Sequence, residues 1–561
     1  MDCGFVRSQA ERVRVLVVTS GTYRIPTVDF EALFPEYGAT ESLSALRKEA
    51  PSGQMNVLLI TTDQHKATTL AAYGDPLDAT PALDRLAAQG TVFTRCRTQN
   101  PFCQPARATI LTGRHPSSHG VIRNGIDLPE DAATDSVATW FAQAAFATAF
   151  FGKAHFASYF PDYPTGRLEA VVDSAWVRPD WYGPYFGFAH VELVTDVHNI
   201  RIAPQVGHWN WGFGPPPFGL HYARHLYRDG PTRGIERLRL MQPEAAGRTW
   251  DPTQTWRNQL PEEDHHTTWT ADRAIAWLSE VDRPFFAWVS FADPHHPFDP
   301  PRPWCDRYKP ADMRQVLPTS PPNELAHKPP FHAAWSRGFR GSAMEWANPG
   351  WALFSEEERL TILAAYYGMI AQIDQQVGRI LAVLEARGLT KDTLVIFSAD
   401  HGDYMGDHGL ILKGPIHYEA LVRVPLLVRG PGFAPGARVD DPVGTIDLAP
   451  TALRACGLPI PDTVEGRPLG EGPREHILTE DDILRGILAF RTITTRRWRM
   501  TRNEHDPNLS ELYDLQEDPG ELVNRWADSA LASVRSDLLV TLDDVMRHDL
   551  GRTLPVVCQA G

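Results

Sequence analysis

Short apolar runs rich in β-branched or aromatic residues recur along this sequence, separated by stretches with helical patterns. The runs are NVLLITTD (56–63), ATAFFGKA (147–154), FFAWVSF (285–291), TLVIFSAD (393–400) and VPLLVRG (424–430). An uninterrupted apolar run of this length is typical of a strand that is buried on both faces. The pattern therefore predicts a sheet that is covered on both sides.

The helical segments between these runs decide how such a sheet is connected. The clearest helix begins where Ser355 and Glu358 have capping-box spacing, and it ends at Gly388. Strands that alternate with helices favour a mainly parallel sheet with helices on both faces. Downstream, RTITTRRWRMTRN (491–503) and ELYDLQEDPGELVNRW (511–526) indicate a small antiparallel sheet with a closing helix. We predict an α/β protein with a large mixed, mainly parallel sheet and a smaller C-terminal α+β subdomain.

Charged and imidazole side chains follow four of the predicted strands. In parallel sheets, ligands bind beyond the carboxyl ends of the strands. We therefore expect the following residues to approach one another: Asp63, Lys153, His155, His295, Asp400 and His401.

Composition excludes several classes of partner. The 561 residues include 54 basic and 69 acidic side chains, a formal net charge of -15, and no Lys/Arg block suited to a polyanion. Nucleic acid is therefore not an expected partner. No run reaches the roughly 18 apolar residues that span a bilayer, so no membrane association is expected. The six cysteines are scattered without disulfide or zinc-ribbon spacing, and we predict a cytoplasmic protein.

Cys103 lies in NPFCQPARATILTGRHPSSHGVIRN (100–124), where Pro105 can occupy the first turn of a helix that begins near the cysteine. A lone cysteine is most often a small buried residue. A helix N-terminus would instead lower its pKa and permit a thiolate nucleophile. The neighbouring residues support a third interpretation.

Cys103, Pro105 and Arg107, followed by LTGR (111–114), resemble the signature of the sulfatase family. In that family a separate maturation enzyme oxidises the cysteine to formylglycine. GKAH (152–155), DPHHPF (293–298) and SADHGDYMGDHGLILKG (398–414) resemble further elements of the family in the same order. The resemblance implies an alkaline phosphatase-like fold and the hydrolysis of sulfate esters.

The expected domain organisation has three parts. Residues 1–54 form an N-terminal extension outside the core, 55–460 the catalytic domain, and 461–561 the C-terminal subdomain. Within the catalytic domain, 156–262 is an insertion that loses regular patterning and concentrates aromatic, Gly and Pro residues. Such a segment is either a binding wall or a packed aromatic cluster. As a wall, it would suit an organic leaving group with a flat or apolar face.

The implied chemistry uses the hydrated formylglycine at position 103. One hydroxyl of its geminal diol attacks sulfur, and deprotonation of the other later expels sulfate and restores the aldehyde. A single divalent metal ion assists, since it polarises both the diol and a sulfate oxygen. Carboxylate and amide ligands favour calcium, whereas an imidazole ligand makes manganese the alternative. The implied ligands are Asp63, Gln64, Asp400, His401 and an oxygen of residue 103.

The same resemblance assigns side chains to the substrate. Lys153 and Lys413 bind sulfate oxygens, and His295 protonates the leaving alcohol together with Lys413. His296 is the competing acid within DPHHPF. Sulfate esters are tetrahedral anions, so cations and a proton donor meet the requirements of their hydrolysis.

Other residues are implied around the diol itself. His155 orients the diol and acts as the base of the elimination step, since an imidazole titrates near neutrality. Arg107 holds the diol and metal region, and Asn124 is a further hydrogen-bond donor to the substrate. Gln104 departs from the small residue that the family commonly has at this position.

SADHGDYMGDHG contains three further side chains that could bind a metal ion, in addition to Asp400 and His401. Because the family pattern uses only Asp400 and His401, we interpret Asp403, Asp407 and His408 as loop residues.

A second function stays open. The predicted metal-ligand pairs also resemble those of phosphonate monoester and phosphodiester hydrolases, which use the same formylglycine. Lys153 next to His155 resembles the arylsulfatase arrangement and favours sulfate, because phosphonate hydrolases have uncharged residues there. A non-catalytic binder of sulfated ligands is a minor alternative. A two-metal phosphatase would need a Ser or Thr nucleophile that has no obvious counterpart here.

The expected partners follow from these functions. They are a small-molecule sulfate ester, or a phosphonate or phosphodiester, and the formylglycine-generating maturation enzyme. A homo-oligomer is expected on general frequency alone.

Overall fold

The computed structural model describes residues 55–159, 161, 165–174, 177–195, 220–243, 247, 253–338, 350–484, 488–546 and 554–558. The predicted extension at 1–54 and most of the aromatic stretch at 207–222 lie outside these ranges, so both predictions about them stay predictions.

The described ranges contain strands and helices in alternation. The strands are β1 (Asn56–Thr62), β2 (Thr91–Phe93), β3 (Cys96–Arg97), β4 (Ala147–Gly152), β5 (His190–Leu193), β6 (Phe285–Ser290), β7 (Thr393–Ala399), β8 (Leu426–Arg429), β9 (Ala437–Val439), β10 (Val443–Gly444), β11 (His476–Leu484), β12 (Leu488–Thr495), β13 (Trp498–Asn503) and β14 (Glu511–Asp514). The α-helices are α1 (Pro81–Gln89), α2 (Cys103–Thr112), α3 (Pro116–His119), α4 (Val137–Gln143), α5 (Val171–Ser174), α6 (His221–Leu226), α7 (Pro231–Leu240), α8 (His266–Glu280), α9 (Pro330–Ser336), α10 (Glu356–Ala386), α11 (Glu419–Val422), α12 (Leu448–Ala455) and α13 (Ala532–Met546).

The main sheet has eight strands in the order β5-β4-β6-β1-β7-β8-β2-β9. Strands β5, β4, β6, β1 and β7 are parallel to one another, whereas β8 is antiparallel to both β7 and β2. All five predicted apolar runs are strands of this sheet. The predicted fold class, a mixed and mainly parallel sheet, is confirmed.

Both faces of the sheet are buried, as the uninterrupted apolar runs require. On β1, Val57 and Leu59 point into one hydrophobic core, and Leu58 and Ile60 point into the other. Helices α2, α4 and α12 cover the first face, and α1, α8 and α10 cover the second. Side chains of a strand alternate between the two faces, so a strand between two helical layers has no polar position in its interior.

The register of the parallel strands brings their carboxyl ends to one edge. Thr62 is paired with Ala399, and Gly152 is paired with Ser290. The residues that follow β1, β4, β6 and β7 therefore leave the sheet side by side.

The C-terminal sheet joins β11, β12, β13 and β14 in antiparallel order, with α13 packed against it. This confirms the predicted antiparallel sheet, and the helix that closes it lies at Ala532–Met546, after the stretch that predicted it. The sheet contacts the segment that leads into α2, because Asn100 Nδ2 donates to the Glu480 carbonyl at 2.7 Å. It also contacts α3, because Ser117 Oγ donates to the Glu480 carboxylate at 2.8 Å. The subdomain thus supports the start of the helix that carries Cys103.

The insertion at 156–262 is more regular than expected. It contains β5, which extends the main sheet next to β4, and helices α5, α6 and α7. Within it, Tyr185 and Phe188 are buried in the same core as Trp288. Large aromatic side chains bury extensive apolar area, which explains why this stretch packs on the sheet. For 178–188, the packed-cluster interpretation is therefore the correct one.

Helix α10 is the longest helix of the described ranges. Its N-terminus has the predicted capping box, in which Ser355 Oγ accepts from the Glu358 N–H at 3.3 Å. Neither this helix nor any other in the described ranges is long and apolar enough to cross a membrane.

Gly152 joins β4 to the segment that carries Lys153. A substitution at this position tests how closely β4 approaches β6. Its φ is +101°, and an added Cβ would lie 1.9 Å from the Ser290 carbonyl oxygen on β6. We predict that Gly152→Ala lowers the free energy of unfolding by about 2–4 kcal/mol, because backbone strain and overpacking add. Gly74→Ala is the matched control, since φ is +98° and no heavy atom lies within 4 Å.

The control should lose only about 1 kcal/mol from the left-handed backbone. Denaturant unfolding of both variants measures the difference. Equal losses at the two positions would contradict the close approach of β4 to β6.

Candidate active site

Cys103 is the first residue of α2 and is 1% exposed. The preceding Phe102 has an extended backbone, and its N–H donates to Asn100 Oδ1 at 2.9 Å. Unpaired N–H groups and the helix dipole make a helix N-terminus favourable for negative charge. The sequence-based prediction that Cys103 lies at a helix start is confirmed.

The sulfur of Cys103 meets two groups from the segment that follows β7. Lys413 Nζ lies 2.9 Å from Sγ, and His401 Nε2 lies 3.2 Å from it. Burial and Asp63 raise the pKa of the thiol, but Lys413, Lys153 and His401 outweigh them, and the net pKa lies below the ordinary value. The site thus stabilises an anion at this position.

Four of the predicted metal ligands form one buried group. Donor atoms of Asp63, Cys103, Asp400 and His401 all lie within 4.8 Å of one another. His401 Nδ1 lies 2.8 Å from the Gly402 carbonyl, so Nδ1 carries a proton and Nε2 is the nitrogen that faces the group. Metal-binding imidazoles are commonly oriented by a hydrogen bond of this kind.

Gln64 tests whether these residues suit a cation. Its Nε2 donates to Asp403 Oδ2 at 2.6 Å, whereas its Oε1 is buried and has no hydrogen-bond partner among the described residues. A buried oxygen without a partner is costly and requires an explanation. Together with the carboxylates of Asp63 and Asp400 and the imidazole of His401, this oxygen completes a donor set that fits a divalent metal ion.

Arg107 connects this group to the ends of the strands. Its Nε donates to Asp400 Oδ2 at 2.8 Å, and its Nη2 donates to Asp63 Oδ2 at 3.2 Å. Its Nη1 donates to the Lys153 carbonyl at 2.5 Å and to Ser290 Oγ at 2.7 Å. Arg107 thus binds the carboxylates of two candidate metal ligands, and its predicted role towards the diol and a metal ion stays a prediction.

Lys153 leaves β4 and turns towards β1. Its Nζ lies 2.5 Å from Asp63 Oδ2. Burial raises the pKa of Asp63, but Lys153, Arg107 and Lys413 hold it well below the ordinary value. Asp63 is therefore ionised, and the ammonium of Lys153 lies directly beside it.

His155 is held differently from the other candidates. Its φ is +54°, both of its ring nitrogens are buried without a hydrogen-bond partner among the described residues, and its ring stacks on Tyr159 at 4.4 Å. Burial and then Lys153 and Arg107 lower its pKa well below the ordinary value. The imidazole is therefore neutral at physiological pH and available as a proton acceptor.

His295 and Lys413 form a pair beside Cys103. His295 Nδ1 lies 2.6 Å from the His296 carbonyl, and its Nε2 lies 2.9 Å from Lys413 Nζ. Because a carbonyl only accepts, Nδ1 carries the proton of the neutral ring and Nε2 accepts from Lys413. His296 instead reaches Gln64 Nε2 with its Nδ1 at 3.2 Å. Of the two histidines, His295 has the contact with Lys413.

Asn124 and Gln104 form a contact behind the cysteine. Asn124 Oδ1 accepts from the Gln104 N–H at 3.0 Å. The Gln104 side chain accepts from the Gly125 N–H at 2.7 Å and donates to the Ile126 carbonyl at 3.1 Å. Gln104 thus ties the loop of Asn124 to the start of α2, which a small residue at this position cannot do.

The other acidic and imidazole residues of the 398–414 segment contact different partners. Asp407 pairs with Lys66 Nζ at 2.7 Å, and His408 Nδ1 contacts Glu324 at 2.5 Å. Neither residue belongs to the buried group of Asp63, Cys103, Asp400 and His401. Asp403 does not belong to that group either, but it accepts a hydrogen bond from the candidate ligand Gln64.

Two contributing residues, Ser290 and Tyr366, were missed by the sequence-based interpretation, and a third, Asp403, was interpreted as a loop residue. Ser290 ends β6 and contacts both Arg107 and the Lys153 carbonyl. Its position as a polar residue at a strand end was a usable signal. Tyr366 Oη donates to the Gln64 carbonyl at 2.9 Å, and Asp403 holds the Gln64 amide. Neither contact has a sequence signal, because the partners are hundreds of residues apart.

A second buried group supports Asp63 from behind. In this group, side-chain atoms of His265, His266 and Asp293 that could bind a metal ion also lie within 4.8 Å of one another. Thr267 Oγ1 donates to Asp293 Oδ2 at 2.6 Å, and the Asp293 carbonyl accepts from the Asp63 N–H at 3.2 Å. We interpret this group as a hydrogen-bonded network behind the site.

Comparisons with known proteins agree with this arrangement. The family model described as Sulfatase matches residues 55–458. The arylsulfatase of Clostridium perfringens (strain 13 / Type A) is 30% identical over 499 residues, which cover 84% of this chain and 89% of that protein. The multifunctional alkaline phosphatase superfamily protein PehA of Trinickia caryophylli is 30% identical over 429 residues, 74% of this chain and 76% of that protein.

Solved structures give the same result for the fold. The phosphonate monoester hydrolase of Agrobacterium radiobacter has a TM-score of 0.67 and 28% identity, and the match covers 88% of this chain and 96% of that chain. The family match spans well over half of the sequence and includes every predicted site residue. The chain therefore belongs to the sulfatase family, a family of sulfuric ester hydrolases.

Proposed function

We propose that this chain hydrolyses sulfate esters with a formylglycine made from Cys103 and a single divalent metal ion. The observation that carries the proposal is the meeting at Cys103 Sγ of Lys413 Nζ at 2.9 Å and His401 Nε2 at 3.2 Å, at the start of a helix. Such a site stabilises negative charge at the position where a sulfate ester would be attacked.

The charges around Cys103 support an anionic substrate. The cations Arg107, Lys153 and Lys413 stand against the carboxylates of Asp63 and Asp400, an excess of one positive charge. A neutral formylglycine diol leaves this excess unchanged, and a divalent ion raises it to three. A sulfate monoester carries one negative charge and would neutralise part of it.

The metal ion would be held by Asp63, Gln64, Asp400 and His401, with residue 103 completing the set. When bound, it would polarise a sulfate oxygen and the diol of residue 103. We favour calcium because three of the four side chains offer oxygen atoms, and manganese is the alternative because of the imidazole.

The side chains of this protein then divide the remaining work. Lys153 and Lys413 would bind sulfate oxygens, and Asn124 would add a hydrogen bond to the substrate. Lys413, whose Nζ lies 2.9 Å from His295 Nε2, would give a proton to this nitrogen, and His295 would pass it to the leaving alcohol oxygen. His155, neutral and without a hydrogen-bond partner among the described residues, would accept the proton of the diol.

A second candidate is the hydrolysis of phosphonate monoesters or phosphodiesters at the same site. The solved phosphonate monoester hydrolase with a TM-score of 0.67 favours it. Like sulfate monoesters, these substrates are tetrahedral monoanions, so the charge of the site does not separate them. The ammonium of Lys153, 2.5 Å from Asp63, favours sulfate by the resemblance to arylsulfatases.

The maturation enzyme as a partner, a homo-oligomer and a cytoplasmic location stay predictions of the sequence. A non-catalytic binder of sulfated ligands would need the cationic pocket alone. It gives no role to the two ring nitrogens of His155, which have no hydrogen-bond partner within the part of the chain that the structure describes.

The state of Cys103 is the first test. We predict that protein made together with the maturation enzyme carries formylglycine at position 103 and hydrolyses an aryl sulfate, and that Cys103→Ala abolishes turnover. Mass spectrometry of the tryptic peptide Thr98–Arg107 identifies the residue. An intact thiol in an active enzyme would contradict the mechanism. Faster turnover of a phosphonate monoester or a phosphodiester would replace the first candidate by the second.

The proton donor is tested through the leaving group. We predict that His295→Asn lowers kcat about 10²–10⁴-fold for an alkyl sulfate, because its leaving oxygen needs a proton. A nitrophenyl sulfate, whose leaving group is stable as an anion, should be affected much less. His296→Asn is the control and should leave this leaving-group dependence unchanged. Equal losses for both substrates in His295→Asn would show that another group donates the proton.

The orientation of Gln64 gives a test of the metal site that does not depend on activity. We predict that Asp403→Ala weakens metal binding about 10–100-fold, because loss of the contact to Gln64 Nε2 frees the amide to turn. Calorimetric titration of the metal-free protein with calcium and with manganese measures the affinity. Asp407→Ala, which removes the contact to Lys66, should leave it unchanged. Equal affinities in the two variants would remove Gln64 from the proposed ligand set.

A further inference from the structure

Glu169 lies inside the 156–262 insertion and is fully buried. Its Oε2 accepts from the His155 N–H at 2.5 Å, and its Oε1 accepts from the Phe156 and Ala157 N–H groups at 2.9 and 3.2 Å. The Tyr185 hydroxyl donates to Oε1 at 2.6 Å. One carboxylate therefore binds three successive backbone N–H groups.

These N–H groups belong to the turn that carries His155. The turn begins after Lys153, and the φ of +54° at His155 places its backbone in the left-handed region. That conformation costs a residue with a Cβ roughly 1–2 kcal/mol. Successive N–H groups that converge in this way form a concave anion-binding site. The Glu169 carboxylate occupies this site and compensates the strain.

The ring of His155, unlike its backbone, is not held by hydrogen bonds in the described ranges. Neither ring nitrogen has a hydrogen-bond partner among the described residues, and the ring is stacked on Tyr159 at 4.4 Å. An imidazole held by its ring nitrogens would lose them for proton transfer. The backbone of the turn must therefore set the position of the ring.

We propose that Glu169 is a positioning residue of the active site: its carboxylate holds the 155–157 turn so that both nitrogens of His155 stay available to the reaction. The role in catalysis rests on the proposed function, whereas the hold on the turn rests on the contacts alone.

The protonation state of Glu169 matters for this hold. An ionised carboxylate only accepts hydrogen bonds. A protonated one has an O–H donor, which here would face the backbone N–H groups and the Tyr185 hydroxyl that also donate. Burial raises the pKa of Glu169 to about 7, although hydrogen bonds from Tyr185 and from the Phe156 and His155 N–H groups lower it. The hold on the turn therefore strengthens as the pH rises through about 7 and weakens as the pH falls below that value.

Few other charges face this carboxyl group in the described ranges. Tyr185 donates to it, and the buried Tyr159 lies near enough for Glu169 to raise its pKa. Asp127 accepts from the Ser158 N–H at 2.8 Å and lies 3.9 Å from Arg167. Burial holds the pKa of Tyr159 well above its ordinary value, so the titration expected near pH 7 at this contact is that of Glu169.

The test uses the full-length matured enzyme and three variants. Glu169→Gln keeps the shape but replaces one acceptor oxygen by an NH2 donor. Tyr185→Phe removes one donor and keeps the packing. Asp173→Asn is the matched control, because Asp173 is a buried carboxylate that accepts from the Thr165 and Gly166 N–H groups at 2.8 and 3.1 Å, away from His155.

Two measurements are compared: hydrogen exchange of the 155–157 amides, and the pH profile of kcat and KM for an aryl sulfate. In Glu169→Gln we expect exchange at least about 10-fold faster, kcat about 10–100-fold lower with KM little changed, and loss of the acidic limb near pH 7. In Tyr185→Phe the limb should move to higher pH, because the lost hydrogen bond favoured the ionised form. Asp173→Asn should change neither measurement.

Unchanged exchange at 155–157 in Glu169→Gln, or equal effects in Asp173→Asn, would overturn the proposal. If Glu169→Gln does not fold, the pH profile of Tyr185→Phe decides. An acidic limb that does not move to higher pH in this variant would overturn the proposal. A matured wild-type protein without ester hydrolase activity would contradict the proposed function instead, and the exchange comparison would still decide whether Glu169 holds the turn.

Discussion

The buried guanidinium of Arg107 is the interaction on which the rest of the site depends. It donates to Asp63 after β1, to the Lys153 carbonyl after β4, to Ser290 at the end of β6 and to Asp400 after β7. A guanidinium presents five N–H donors in a fixed plane, and burying it without partners is very costly. The ends of four strands must therefore come together around it, and α2 is held against the edge of the sheet where they meet.

Helix geometry then determines where the cysteine lies. Cys103 and Arg107 are four residues apart on α2 and so share one face. When Arg107 binds the carboxylates, Cys103 must face the same group, where it meets Lys413 and His401 from the segment after β7. The spacing of the motif has a physical meaning, since one residue ties the helix to the sheet and the other presents its side chain to the substrate.

Much of the fold could be predicted because burial on both faces leaves a strong pattern. The five apolar runs are all strands, and the capping box of Ser355 and Glu358 begins the predicted helix. The insertion at 156–262 was the weak point. Its strand β5 lies at the edge of the sheet and is only four residues long, too short for a periodicity to be recognised. Its aromatic residues pack against the core, which composition alone could not distinguish from a binding wall.

By itself, the sequence determined the fold class, the position of Cys103 at a helix start and the set of chemically able side chains, because these depend on local spacing and on burial patterns. Only the tertiary structure decided which of them cooperate and what orients them. Asp403 turns the amide of Gln64, and Glu169 holds the turn of His155, across separations in sequence that no local pattern records. The reason is physical: a buried polar group takes whichever partner the packing brings within hydrogen-bond distance, and packing is a property of the whole chain.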